Sequence, residues 1–282
     1  MSEIKVVEGR VANRKTDGPE LRYRVTSPES PKIGLALVHG YADHSARYAH
    51  VARHFAERGV LTAAIDLRGH GESAGHRGFC ERFDEFLDDA DELFAILDER
   101  AKGLPCFVMG HSFGGLVVSR SVVLRPRPWR GLVLSAPFFG LKLEVPGIKV
   151  LAGKVASVVY PRLGLPSGLA GRDMCHDEAR AKAYDADPLV FKNATARWFV
   201  TTTEAQAAAI AEASKVTLPL RLSFGDSDPV ASPLAGKRFF DGAGSKDKTW
   251  DEHKGLYHEI LNEPVWETIA TGMADWMLAH AE

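Results

Sequence analysis

An apolar run, Cys106 to Met109 (CFVM), passes through Gly110-His111-Ser112-Phe113-Gly114-Gly115 into the helical pattern Phe113 to Leu124 (FGGLVVSRSVVL). This G-x-S-x-G at a strand–helix junction constrains the fold more than any other stretch of the chain. The turn must be sharp enough to lift a serine hydroxyl out of a sheet, and glycines tolerate the crowding that results. Such a turn requires a sheet whose strands lead into helices.

The flanking sequence supplies one. Lys5 to Val11, Leu21 to Thr26, Ile33 to Val38, Val60 to Ile65, Gly131 to Leu134 and Leu218 to Phe224 read as short strands. Helical spacing appears in Arg47 to Arg58, in Phe83 to Arg100 and in Val265 to His280. This alternation predicts an α/β fold, a mostly parallel central sheet flanked by helices. The first two strands are separated only by a turn at Asp17-Gly18-Pro19, which predicts an antiparallel hairpin at one edge.

From Pro137 to Val216 no core strand is evident, too long a stretch for a structureless loop. The expected division is a core of residues 1–137 and 217–282 with an inserted helical cap at 138–216. Within it, Val145 to Val159 places Ile148, Leu151, Val155, Val158 and Val159 at helical spacing with Lys149 and Lys154 between. That pattern suits a helix packed on its own domain. It also suits a lid whose apolar face covers a lipid pocket and touches a membrane surface transiently.

Composition excludes several classes. Lys and Arg number 35 against 37 Asp and Glu, a formal net charge of -2, which gives no electrostatic case for nucleic acid. The longest nearly apolar run, Gly131 to Leu141, is about 11 residues, against about 20 for a membrane span. The opening MSEIKVVEGR is charged where a secretory signal is apolar, and three widely spaced cysteines (Cys80, Cys106, Cys175) suggest neither a disulfide framework nor a thiolate metal site. A soluble cytoplasmic chain is the expectation, peripheral to membrane at most.

A serine hydroxyl is a weak nucleophile and needs a base, which needs an orienting acid, in the chain order Ser, Asp or Glu, His. His258, in Gly255-Leu256-Tyr257-His258-Glu259 before the final helix, is the expected base; His253 reads as part of the last strand. The acid lies in Gly225-Asp226-Ser227-Asp228-Pro229, and spacing does not separate Asp226 from Asp228. Leu37-Val38-His39-Gly40-Tyr41 ends an early strand where one oxyanion donor is expected, assigning the backbone N–H groups of Tyr41 and Phe113. DLRGHGES (66–73) lacks the phosphate-loop pattern and reads as a structural turn. His50 and His54 lack the partner residues of a zinc motif.

Together these segments resemble the α/β-hydrolase superfamily and, within it, the monoacylglycerol lipase and lysophospholipase-like serine hydrolases. HGYADHSARY, DLRGHGES, GHSFGG, IKVLAGKVASVVYP, YDADPLV, GDSDPV and GLYHEILNE carry the likeness over nearly the whole chain. The resemblance implies Ser112 as nucleophile, Asp228 as acid and His258 as base. It places Asp43 and Arg47 at the polar end of the pocket and Tyr184 near the leaving alcohol, while Ile148 and Leu151 of the cap are expected to meet the acyl chain. Leu261 stands where mammalian monoacylglycerol lipases carry a histidine, and Tyr41 where a small residue is common. The implied activity is hydrolysis of a single-chain lipid ester, monoacylglycerol first, without metal or organic cofactor. The rivals are a lysophospholipase or short-chain carboxylesterase on the same scaffold, and a non-catalytic binding protein.

Overall fold

The computed structural model describes residues 3–14, 18–142 and 147–281, without the side chains of 148–150. Its first strands, β1 (Ile4–Ala12) and β2 (Glu20–Pro28), form the expected antiparallel edge hairpin, with Ile4 opposite Pro28 and Ala12 opposite Glu20. Asp17 of the connecting turn lies outside the described residues. Then follow β3 (Ile33–Val38), a short 3-10 turn, α1 (Ala49–Ala56), β4 (Val60–Ile65), α2 (Asp84–Arg100), β5 (Cys106–His111), α3 (Phe113–Leu124) and β6 (Gly131–Ser135).

Between β6 and the next strand of the main sheet, the chain forms α4 (Gly147–Val159), β7 (Gly164–Pro166), α5 (Glu178–Ala186), β8 (Asn193–Thr195) and α6 (Ala196–Ala211). β7 and β8 pair only with each other, so this segment adds nothing to the main sheet among the described residues. The chain returns through β9 (Leu220–Gly225), α7 (Pro233–Gly242), β10 (Lys248–His253) and α8 (Trp266–Ala279). The main sheet runs β1-β2-β4-β3-β5-β6-β9-β10, and every pair from β4 to β10 is parallel.

Period-two alternation divides the core. Ile33, Leu35 and Leu37 of β3 pack with Phe107, Met109, Val51, Phe55, Ile269 and Met273, beneath α1 and α8. Ala36 and Val38 pack on the other face with Val108, Phe86, Phe94, Phe113 and Leu116, beneath α2 and α3. Because both faces are covered, β3 to β6 read as continuous apolar runs. β10 (KTWDEH) is a half-buried edge strand, and its polar sequence shows it.

Parallel strands place all their following loops on one edge of the sheet, and strain concentrates there. The positive-φ residues other than glycine among the described residues are Ala42 after β3, Ser112 after β5 and Ala136 after β6. Such backbone costs on the order of 1–3 kcal/mol each and persists where its surroundings enforce it. At Ser112, with φ 51° and ψ -118°, the N–H donates to the Ser135 carbonyl (2.9 Å) and the carbonyl accepts from Phe138 N–H (2.9 Å).

Gly114 is required by the same turn. A Cβ there would lie 2.2 Å from the Val38 carbonyl oxygen and 2.4 Å from that of His39, both backbone. Gly114→Ala is therefore expected to destabilise the fold by about 3 kcal/mol, at the upper end of overpacking costs. A urea midpoint equal to that of the unaltered chain would contradict this close approach.

Candidate active site

β9 and β10 run in register, Gly225 opposite His253, so the loops that follow them leave the sheet side by side. This brings Asp228 to His258, and the elbow after β5 completes the line. His258 Nδ1 lies 2.7 Å from Asp228 Oδ2, and its Nε2 lies 2.8 Å from Ser112 Oγ. The acceptor-only carboxylate fixes the tautomer: Nδ1–H donates to Asp228, and Nε2 accepts from the serine hydroxyl. The second oxygen, Oδ1, accepts from the N–H groups of Val230 (2.7 Å) and Ala231 (2.9 Å). Asp226, which spacing left as the alternative acid, instead accepts from Gly255 N–H (2.7 Å) and holds the loop that leads to His258.

All three side chains are buried. Burial alone lowers the proton affinity of His258, but Asp228, and behind it Glu259 and Asp43, reverse this and raise its pKa above 6.5. The neighbouring His111 ring, 5.0 Å away, is pushed down to about 4, first by burial and then by His258, and is neutral.

The loop after β3 is set by His39. Leu67 N–H donates to its Nε2 (3.0 Å), so Nδ1 carries the proton and donates to the Gly40 carbonyl (2.7 Å). The backbone N–H groups of Tyr41 and Phe113 have no acceptor among the described residues. The Tyr41 side chain reaches away from the sheet, its hydroxyl donating to Asn193 O (2.9 Å) and its ring stacking on Trp198 at 3.7 Å. A bulky residue stands at this position because it props the inserted segment over the loop.

A cavity of about 870 Å³ opens over Ser112, within the range of small-molecule sites. Its lining is largely apolar, with Ala152, Ala156, Leu163, Leu165, Trp198 and Phe199 in it, and Asp43, Tyr184 and Glu259, gathered about Arg47, form a polar patch. Asp43 accepts from Arg47 Nη1 (2.9 Å) and Tyr48 Oη (2.8 Å), and Arg47 forks onto both oxygens of Glu259 (2.7 Å each). Burial pushes both carboxyls up, but the Arg47 guanidinium, joined at Asp43 by His39, His44 and the Tyr48 hydroxyl, holds both below their usual range, so both are ionised.

A family model described as serine aminopeptidase, S33, matches residues 29–265. The chain belongs to this hydrolase family. A monoacylglycerol lipase of Mycolicibacterium smegmatis is 32% identical over 93% of this chain and 94% of its own length. Phospholipase YtpA of Bacillus subtilis is 30% identical over 86% of this chain and 93% of its own. Among solved structures, the monoacylglycerol lipase of Paleococcus ferrophilus has a TM-score of 0.82 at 28% identity, over 99% of each chain.

In this member of the family some expected site residues sit elsewhere. Arg47 does not line the cavity; it lies one layer behind, under the Tyr184 ring at 4.8 Å. Leu151 is 59% exposed, and Val155, Val158 and Val159 are exposed with it, while α4 packs on α6 and turns Ala152, Gly153 and Ala156 toward the cavity; these four side chains of the stripe face outward. The Ile148 side chain lies outside the described residues. Leu261 is buried in the core under α8. His50 and His54 are spent on Leu261 O (2.9 Å) and Thr271 Oγ1 (2.8 Å), and no metal-binding cluster occurs among the described residues. Sequence reasoning missed Glu259 and the α6 wall; the spacing of Trp198, Thr202 and Gln206, four apart on one helix face, was the signal for the latter.

In an NMR pH series the His258 imidazole is expected to titrate above 6.5. Asp228→Asn should bring it below 6.5, because burial then meets only the weaker opposition of Glu259 and Asp43. A titration that the substitution leaves in place would contradict the pairing.

Proposed function

We propose that the chain hydrolyses single-chain lipid esters, monoacylglycerol foremost, through an acyl-enzyme on Ser112. The observation that carries this reading is the unbroken line Asp228–His258–Ser112, at 2.7 and 2.8 Å, opening into a largely apolar cavity with one carboxylate-bearing polar patch. The chain is a hydrolase of esters, as its relatives named as a monoacylglycerol lipase and a phospholipase suggest.

In this mechanism His258 takes the Ser112 proton as the oxygen attacks the acyl carbonyl, and Asp228 stabilises the imidazolium. The N–H groups of Tyr41 and Phe113 receive the oxyanion, each worth roughly 10²–10³ in turnover. His258 then protonates the leaving alcohol beside Tyr184 and activates the water that releases the fatty acid. The neutral imidazole is the working form, so kcat/KM falls as pH drops through the raised pKa of His258.

Ser112→Ala is expected to lower kcat on monoacylglycerols by about 10⁶ and Asp228→Asn by about 10⁴. The assay compares monoacylglycerols of several chain lengths, a lysophosphatidylcholine and a short nitrophenyl ester. Turnover unaffected by Ser112→Ala would overturn the mechanism. Turnover of the short ester alone would make the chain a carboxylesterase.

Residues 138–216 act in this reading as a cap whose outer face meets lipid. Leu151, Val155, Val158 and Tyr160 are exposed on it, Val158 at 74%, with Lys154 and Arg162 among them. A patch of this kind marks an interaction site, and basic residues among apolar ones suit an anionic membrane surface. Among the described residues no helix is long and apolar enough to cross a membrane. Leu151→Glu with Val158→Glu should lower co-sedimentation with anionic vesicles several-fold, while leaving hydrolysis of a short soluble ester within about twofold. Unchanged sedimentation would remove the lipid-facing role.

A further inference from the structure

The cavity over Ser112 is lined, among the described residues, by two carboxylates and by no lysine or arginine. Both carboxylates, Asp43 and Glu259, belong to its polar patch, joined through Arg47. The one guanidinium near them, Arg47, is committed: Nη1 bonds Asp43 Oδ1 and Glu259 Oε1, Nη2 bonds Glu259 Oε2, and the Tyr184 ring covers it at 4.8 Å. Lys192, whose Nζ stands 4.3 Å from the Tyr184 ring, does not line the cavity and donates to Asp185 Oδ1 (3.0 Å), and His44 faces Asp187 Oδ2 at 2.9 Å. Two negative charges thus stand against one positive charge that points at them and away from any ligand.

The two carboxylates differ in what they have left. Asp43 accepts from the N–H groups of Gly40 and His44, from Arg47 and from Tyr48 Oη, which fills its roughly four acceptor sites. Glu259 accepts twice from Arg47 and once from Asn262 Nδ2 (2.7 Å), which leaves it room for one more donor. A hydroxyl can supply that donor. A phosphate has no donor to give when fully ionised, and it would meet two buried carboxylates without the arginine or lysine that phosphate sites employ.

We propose that Asp43 and Glu259 make the alcohol end of this cavity a charge filter, which admits uncharged polyol head groups and excludes esters carrying a phosphate beside the scissile bond. The inference rests on the lipid-ester reading of Ser112 and sets its substrate class against that of a phospholipase. Arg47, with His39, His44 and Tyr48 at Asp43, holds both carboxyls in the ionised form, and both raise the proton affinity of His258, so their field reaches the reacting groups. Like charges brought together in a site that excludes water are strongly disfavoured. Glu259 acts as the specificity-determining residue because it alone keeps an open acceptor.

The test is kcat/KM for a matched pair, 1-decanoylglycerol and 1-decanoylglycerol 3-phosphate, below their micellar concentrations at pH 8. The unaltered enzyme should prefer the uncharged ester by about 100-fold or more. The preference should shrink toward pH 5.5, where the phosphate loses its second charge. Glu259→Gln should narrow it by about 10-fold, chiefly by raising turnover of the phosphate ester. Turnover of the two esters within about threefold would overturn the filter alone, as would an undiminished preference in a folded Glu259→Gln enzyme. Absence of turnover on both would overturn the lipid-ester reading and the filter with it. Should Glu259→Gln fail to fold, the ratio and its pH dependence in the unaltered enzyme decide the matter.

Discussion

The backbone turn at Ser112 is the constraint on which the rest of the molecule depends. The strained backbone of Ser112, at φ 51°, is held by its N–H and its carbonyl, which are tied to Ser135 and Phe138. That in turn requires β6 alongside β5, and it requires α3 to start so close to β3 that no side chain is tolerated at Gly114. Strained residues in the loops after β3 and β6 lie on the same edge. The sheet is the scaffold against which this strain is held, and its stability is drawn from the two apolar layers on either face.

Charge at the site is arranged in two tiers. Asp228 is bound directly to His258 and fixes the ring, whereas Asp43 and Glu259 act from beyond it, each anchored by Arg47. Burying so many ionised groups is tolerated because every one has a partner, and because Arg47 serves two carboxylates at once. The arrangement also ties three distant parts of the chain together: the loop after β3, the loop after β10, and α5 through Tyr184. The inserted segment is further held by Tyr41, which lines the cavity and whose side chain stacks on Trp198 and bonds Asn193.

Much of this was legible in the sequence, for reasons that can be stated residue by residue. β3, β4 and α3 appear with the bounds expected, because buried parallel strands are continuous apolar runs and the elbow fixes where the helix starts. The acid was not separable by spacing, since Asp226 and Asp228 share one turn; the register of β9 against β10 decides which one faces His258. α6 went unread because Thr201, Thr202 and Thr203 blur its pattern, although Thr195 caps its start. α7 carried a plain signal, Ser232 capping ahead of Pro233, in a stretch read only for its aspartates. Periodicity found the stripe of α4 but not its direction, because spacing defines a face without saying whether protein or solvent lies against it. Glu259 was invisible for a different reason: its partner Arg47 lies 212 residues away, and adjacency to His258 says nothing of where a carboxylate points.

The central claim is that one serine, on this turn, becomes the nucleophile because His258 and Asp228 activate it. Peptide mapping by mass spectrometry after treatment with a long-chain alkyl fluorophosphonate tests it most directly. The account predicts a single stoichiometric adduct on Ser112, formed at least about 10³ times more slowly when His258 is replaced by alanine. An adduct on another residue, or labelling of Ser112 at an undiminished rate without His258, would contradict it.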